Sequence, residues 1–281
     1  MKLIRECRMG PPKSFKTGAV LGTYPKPLLY LQFDREGASV IPWKGAPTLP
    51  GNIPLDVTYD DIITCQAHEL AAWLAKPMSE QPKILVVDFT LSQVTDLDLA
   101  MKPAAFTAPR ANFIAAYNNV SAHIRAGKDL PWKTAVLDSI GGYETIILNY
   151  ISATNAPAMA DARQWAGQVG GAVKQTILSM TGWPCHVVFI AHSQIDKNEL
   201  TGQLTELPNV FSKLRDDIGG LFSQFFYAVK NSSGNPVLWP HPQQFVRGIG
   251  ARWPSNLGKE IAPDFKSIYG VEAPFDPFYH R

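Results

Sequence analysis

Four compact apolar runs, each ending in a polar residue, constrain the fold of this chain more than anything else in it. Pro27-Leu-Leu-Tyr-Leu-Gln-Phe33 closes at Asp34, and Lys83-Ile-Leu-Val-Val closes at Asp88. Thr134-Ala-Val-Leu closes at Asp138, and His186-Val-Val-Phe-Ile-Ala191 closes at His192. Each run has the length of a strand and no polar alternation, which predicts burial on both faces and hence a parallel sheet. Between them, Ala111 to Ala126 carries Phe113, Tyr117, Val120 and Ile124 at helical spacing, and Ala160 to Met180 reads as a long helix. Strands alternating with helices predict an α/β fold: a mainly parallel sheet covered on both faces, with right-handed crossovers.

The rest of the chain reads less sharply. Leu3 to Met9 is a short strand, Lys16 to Gly22 a helix and Ala67 to Leu74 another. Val40 to Pro54 reads as irregular, Leu55 to Ile63 as holding a strand, and Thr90 to Arg110 as a loop rich in Ala, Pro and Thr. The C-terminal part reads as short antiparallel strands at Phe225 to Val229, Pro236 to Trp239 and Phe245 to Gly248. The expected organisation is one domain over 1–270 and a tail over 271–281.

A chain of 281 residues is long enough for one large α/β domain and short for two. The formal net charge of +2 gives no global sign of a nucleic-acid binder and leaves a local basic patch open. No apolar run is long enough to span a bilayer, and Met1-Lys-Leu-Ile-Arg-Glu-Cys-Arg8 is too charged for a signal peptide. Cys7, Cys65 and Cys185 are far apart and odd in number, which speaks against a disulfide framework and against zinc. A cytoplasmic location is the resulting expectation.

The segment most specific for chemistry is Gly10-Pro-Pro-Lys-Ser-Phe-Lys-Thr17, lying between the first strand and the first helix. Its spacing approximates G-x-x-x-x-G-K-[ST], in which loop amides and a helix N-terminus surround phosphates. On that reading Gly10, Pro11, Pro12, Lys13, Ser14, Phe15, Lys16, Thr17 and Gly18 form the cradle. Lys16 reaches the β- and γ-phosphates, and the Thr17 hydroxyl binds Mg²⁺. Phe15 departs from the pattern, because glycine normally stands there and a side chain can crowd or restrict the loop. The competing reading is an ordinary loop that happens to match.

Such a loop needs an acid on the metal side and a base for the attacking water. Asp138, at a strand end, fits the first role; alternatively it caps a helix starting at Gly141. Asp88 has the same form and reads as a neighbouring strand end. Asp34 or Glu36 is placed to polarise water, against the alternative of a solvated turn. His192 is placed to report on the γ-phosphate, against that of a hydrogen-bonded histidine with no such role. The polar stretch Ser193 to Lys213 after it reads as a mobile loop.

These pieces, in this order, resemble the RecA-like ATPase core. The nearest resemblance is to small phage RecA-like recombination ATPases, known as phage nucleotide-binding or AAA-family proteins and linked to single-strand annealing. The matching segments are 10–17, 27–34, 134–139 and 187–194. The resemblance implies a three-layer P-loop NTPase core that binds ATP and Mg²⁺, forms a homo-oligomeric ring or filament, and acts on single-stranded DNA. It implies that Lys16 and Thr17 contact phosphate and Mg²⁺, with Asp138 as the second acid on the metal side. Asp34 stands where RecA-like proteins carry a catalytic glutamate, and His192 where they often carry a glutamine. Ser193 to Lys213 would contact DNA, and Lys230, Arg247, Arg252 and Lys259 are candidates for a cationic finger offered to a neighbour's nucleotide.

Overall fold

The computed structural model describes residues 3–34, 48–90, 104–155, 162–199, 201–210, 212–242, 246, 249–251 and 257–270. Strand β1 (Arg5–Gly10) leads through the glycine-proline loop into helix α1 (Lys16–Thr23). Strand β2 (Leu28–Gln32) follows, then a small hairpin of β3 (Thr48–Leu49) and β4 (Ile53–Pro54). Next come β5 (Ile62–Cys65), α2 (Leu70–Leu74), β6 (Ile84–Asp88), α3 (Ala104–Arg125) and β7 (Thr134–Asp138). Helices α4 (Ile140–Asn155) and α5 (Ala162–Met180) lead to β8 (His186–Lys197) and β9 (Leu204–Pro208). The chain continues through α6 (Ser212–Asp217), β10 (Gln224–Lys230), β11 (Pro236–Trp239), β12 (Gly250–Ala251) and α7 (Phe265–Tyr269).

One 10-stranded sheet runs in the order β11-β10-β1-β8-β7-β2-β6-β5, with β12 on β10 and β9 on β8. From β10 to β5 every neighbour is parallel; β11, β12 and β9 pair antiparallel. The fold is therefore a mixed α/β layer structure with a mainly parallel sheet and antiparallel C-terminal strands. The strands read as continuous apolar runs because both faces are covered. Cys7, Met9, Leu29, Leu31, Leu85, Val87, Leu137 and Phe189 pack with α2 to α6 on one face. The alternate residues Leu28, Tyr30, Val86, Val136, Val188 and Ile190 pack with Val20 and Leu21 of α1 and Phe265 of α7 on the other. All three cysteines are buried and free.

Several expectations need correction. β10 pairs antiparallel with β11 as expected, and with β12, but on its other edge it runs parallel to β1 as a further strand of the central sheet. The stretch expected as a mobile loop over Ser193 to Lys213 extends β8 to Lys197 and forms β9, which pairs with it from Ser193↔Pro208 to Lys197↔Leu204. Ile195 and Leu204 are exposed there and the neighbours are polar, so no apolar alternation marked the hairpin. The loop expected over Thr90 to Arg110 ends early, since α3 begins at Ala104 and carries Pro109 inside it. One proline removes one backbone bond, and the surrounding alanines favour the helix. The strand expected within Leu55 to Ile63 lies at Ile62–Cys65, and the irregular stretch ends in the β3–β4 hairpin. Of the expected strand at 245–248, only Val246 is described; it bridges to Glu206. The tail over 271–281 lies outside the described residues.

Candidate functional site: the strand ends beside the phosphate loop

β1 delivers Gly10 at the C-terminal edge of the sheet, where a parallel α/β sheet opens toward ligands. A Cβ on Gly10 would stand 2.2 Å from the Ala228 carbonyl oxygen of β10, so only glycine permits this approach. The loop then turns through two residues in the left-handed region, Lys13 (φ 61°) and Phe15 (φ 64°). Phe15 occupies the N-cap of α1 in the conformation that glycine adopts without strain. For a residue with a Cβ this costs roughly 1–2 kcal/mol. The ring packs with Ala19, Ile53 and Leu55, and the Lys230 ammonium lies 5.1 Å from its centroid. Lys230, an expected finger for a neighbour's nucleotide, sits against its own phosphate loop.

Lys16 opens α1 and is buried. Its ammonium donates to the carbonyls of Gly10 (2.9 Å) and Pro11 (2.8 Å) and to Ser14 Oγ (3.2 Å). Burial lowers its pKa to about 8, opposed by the charges of Asp138 and Asp34. Pro12 and Lys13 are exposed, Pro11 and Thr17 are half-buried, and Ser14 and Gly18 are buried. Thr17, one residue beyond Lys16, donates its hydroxyl to Asp138 Oδ2 at 2.5 Å, across the edge of the sheet. β8 lies between β1 and β7, so it is helix α1, crossing above the sheet, that brings the two together.

Asp138 ends β7 on the α1 face and is buried. Burial raises its pKa, and Asp34's negative charge adds to the rise; the Thr17 and Tyr30 hydrogen bonds oppose it. Its carbonyl also accepts from the backbone N–H of Phe33 (2.5 Å) and Asp34 (3.2 Å), which ties the end of β2 to β7. Asp34 Oδ2 meets His192 Nε2 at 2.8 Å, and Ser139 also hydrogen-bonds to Asp34. Burial raises the pKa of Asp34, but those two bonds and the nearby Lys16 charge outweigh it and hold the pKa below the usual value. His192 Nδ1 is buried and has no hydrogen-bond partner among the described residues.

The structure therefore brings together Lys16, Thr17, Asp34, Asp138 and His192. Asp138 precedes a helix that begins at Ile140, but its carboxylate bonds to Thr17 and Tyr30. Asp88 lies two strands beyond Asp138 and accepts from the Thr90 N–H at 2.8 Å. Glu36, Arg247 and Arg252 lie outside the described residues. Lys259 is exposed.

Four contributors escaped the sequence reading. Tyr30 donates to Asp138 Oδ2 at 3.0 Å, and Ser139 Oγ accepts from the Gly142 N–H at 3.0 Å. A Cβ on Gly142 would come within 2.7 Å of Asp34 Oδ1, so the second glycine of Gly141-Gly142 makes room for the carboxylate. Glu206 of β9 accepts from Ser193 Oγ (2.5 Å) and from the Tyr227 hydroxyl, and its charge is felt at Lys16. The glycine pair was the one signal available in advance. The others are ordinary residues whose partners are distant in the chain.

The donors around Thr17 and Asp138 are all oxygens, which suits a hard cation such as Mg²⁺. Magnesium dehydrates reluctantly and takes one or two protein oxygens, with water and phosphate for the rest. A hydroxyl and a carboxylate 2.5 Å apart are such a set.

No family model matches this sequence, and no curated protein matches it. Among solved structures, the chain is similar to an ATPase from the type III secretion system of pathogenic bacteria. That match has 12% identity and a TM-score of 0.43, over 81% of this chain and 51% of the other. It is also similar to a KaiC-like protein from the hyperthermophilic archaeon Pyrococcus horikoshii OT3. There the identity is 11% and the TM-score 0.36, over 87% of this chain and 81% of the other. The chain spans about half the length of the secretion-system ATPase. Likenesses this remote carry no argument for this chain, and the architecture rests on its own strand order and pairing. Among the described residues no helix is long and apolar enough to cross a membrane.

Proposed function

We propose that the chain is a RecA-like P-loop ATPase that binds ATP with Mg²⁺ and hydrolyses it slowly. The observation that carries this reading is the bond from Thr17, next to Lys16 at the start of α1, to the carboxylate of Asp138 on a strand two places away. A helix N-terminus with an adjacent lysine suits polyphosphate. When bound, Mg²⁺ neutralises charge developing on the phosphate oxygens. Lys16 exchanges its loop carbonyls for phosphate oxygens, and Thr17 and Asp138 hold the cation side. Asp34 orients water, and His192 orients Asp34 through their shared hydrogen bond. Slow turnover is expected for two reasons. Asp34 is shorter than glutamate, and its carboxylate is already engaged by His192 and Ser139.

The finer reading is an ATPase of phage-type recombination or repair that assembles into a ring or filament on single-stranded DNA, in the cytoplasm of its host. The β8–β9 hairpin supports it. The hairpin's pairing begins directly after His192, and Glu206 ties it to Ser193 of β8 and Tyr227 of β10. A γ-phosphate that moves His192 would move the root of that hairpin. A second reading, nucleotide binding without turnover, is favoured by the same engagement of Asp34 and by Phe15 in the loop.

One assay tests both: phosphate release from ATP, with and without single-stranded DNA, for wild type and Lys16→Ala. The expected result is slow, DNA-stimulated turnover that Lys16→Ala lowers by at least about 100-fold. ATP binding without turnover supports the second reading. Turnover untouched by Lys16→Ala removes the site from both.

A further inference from the structure

Tyr30 sits in the middle of β2, where the sheet pattern asks only for an apolar residue. Leu28 and Val136 on the same face meet that demand with aliphatic chains. The Tyr30 ring is buried and packs in the cluster with Val20, Leu21 and Tyr24. A phenylalanine would fill that space equally well. The hydroxyl is thus surplus to packing, and burying a hydroxyl is unfavourable unless it is bonded. Its bond goes to Asp138 Oδ2, at 3.0 Å.

That oxygen already accepts from Thr17 at 2.5 Å. The two donors come from different elements, Thr17 from α1 and Tyr30 from β2. They also differ in what ligand binding does to them. If a cation binds, the Thr17 hydroxyl would turn toward it, whereas the Tyr30 ring is buried in the core cluster. A carboxylate held by Thr17 alone would be free to swing when Thr17 turns. Tyr30 gives Oδ2 a second donor that does not depend on Thr17.

We infer that Tyr30 is a positioning residue for Asp138: its buried hydroxyl orients the carboxylate that would hold the divalent cation of a nucleotide. The inference rests on the ATP·Mg²⁺ reading of the site. Groups supporting a metal ligand from behind typically matter by 10- to 100-fold in metal affinity. Tyr30 acts only on the metal side, so binding of the nucleotide itself is untouched.

The test uses the full chain and four proteins: wild type, Tyr30→Phe, Tyr24→Phe, and the protein with 3-fluorotyrosine at position 30. Tyr24 lies in the same cluster and is equally buried, but its hydroxyl serves Glu6 and Arg8 instead of Asp138. Mn²⁺ binding is followed by EPR at saturating non-hydrolysable ATP analogue, and metal-free nucleotide affinity by a fluorescent ATP in EDTA. Tyr30→Phe is expected to weaken Mn²⁺ binding by about tenfold and broaden its spectrum, with nucleotide affinity in EDTA unchanged. Tyr24→Phe and the 3-fluorotyrosine protein keep wild-type Mn²⁺ affinity. Wild-type Mn²⁺ affinity in Tyr30→Phe overturns the assignment. So does an equal loss in Tyr24→Phe, which traces the effect to packing, or a similar loss in the 3-fluorotyrosine protein. A wild type that binds nucleotide in EDTA but takes up no Mn²⁺ overturns the assignment and leaves the phosphate loop standing. One that binds neither overturns the site reading as well.

Discussion

The two edges of the parallel sheet treat buried charge in opposite ways. At the N-terminal edge the buried charges of Glu6 and Arg8 answer each other. Glu6 of β1 accepts from Arg8, Tyr24 and Tyr269, and Arg8 also donates to the Pro263 carbonyl at 2.7 Å. Arg5 donates to the carbonyls of Ile4, Cys185 and Trp183. At the C-terminal edge, Asp138 is also buried, yet among the described residues its side-chain donors are two hydroxyls and no arginine. Lys16 is held by neutral carbonyls and a hydroxyl. A carboxylate closed by arginine is a structural fastener, here pinning α7 and its approach to the back of β1. One closed by hydroxyls keeps a negative charge for which the described residues supply no direct cation.

The comparison breaks most visibly at Glu6. Glu6→Gln leaves Arg8 buried without its counter-charge and is expected to lower stability by about 3–5 kcal/mol, read from urea midpoints. A loss below about 1 kcal/mol would show that the network is not closed in the way described. At the other edge the effect falls on chemistry. Asp138→Asn should cut ATP turnover by about 100-fold while raising the melting temperature slightly, because Asp138's raised pKa marks a charge that the fold pays to keep. A destabilised Asp138→Asn protein would place Asp138 with Glu6, as a fastener.

His186 sharpens the comparison through pH. It begins β8, is buried, and its Nδ1 accepts from the Ile4 N–H at 3.1 Å. Burial lowers its pKa to about 3, helped by the charge of Arg5. The unfolded chain therefore takes up a proton on His186 below about pH 6.5, and the folded chain only near 3. Stability from this group is full above 6.5 and declines as the pH falls through that window, by about 2 kcal/mol once water penetration is allowed for. Urea midpoints at pH 7, 5.5 and 4 should fall, and fall less in His186→Gln. An identical decline in both proteins would remove His186 as the cause.

Phe15→Gly is the smallest change. Relief of the left-handed strain, about 1–2 kcal/mol, is offset by the loss of ring contacts with Ile53 and Leu55 and by glycine's entropy. The expected net shift is under about 1 kcal/mol by thermal melting. A loss of several kcal/mol would show that the ring's packing outweighs the strain.

Much of this was legible in advance where the signal is local. The strands at 28–32, 84–88 and 134–138 could be read because residues buried on both faces leave unbroken apolar runs. The loop at 10–17 could be read because its residue types follow fixed offsets. The β8–β9 hairpin could not, since its side chains face water and its pairing is a matter of backbone bonds. The direction of β10 could not either, because a strand's sequence does not state whether its neighbour runs parallel.

Taken alone, the sequence determined that buried strands would alternate with helices and that Lys16 and Thr17 would open a helix, because burial and spacing are properties of neighbouring residues. It also put Asp34 and Asp138 at strand ends; His192, expected at one too, lies inside β8, which runs on to Lys197. Only the tertiary structure decided that the Thr17 hydroxyl reaches the Asp138 carboxylate, that Tyr30 shares its oxygen, and that the Phe15 ring packs beside Ile53 and Leu55. Those outcomes depend on strand order and on which side chains the crossovers bring within hydrogen-bond reach. Contacts between residues more than a hundred positions apart leave no mark on the local pattern.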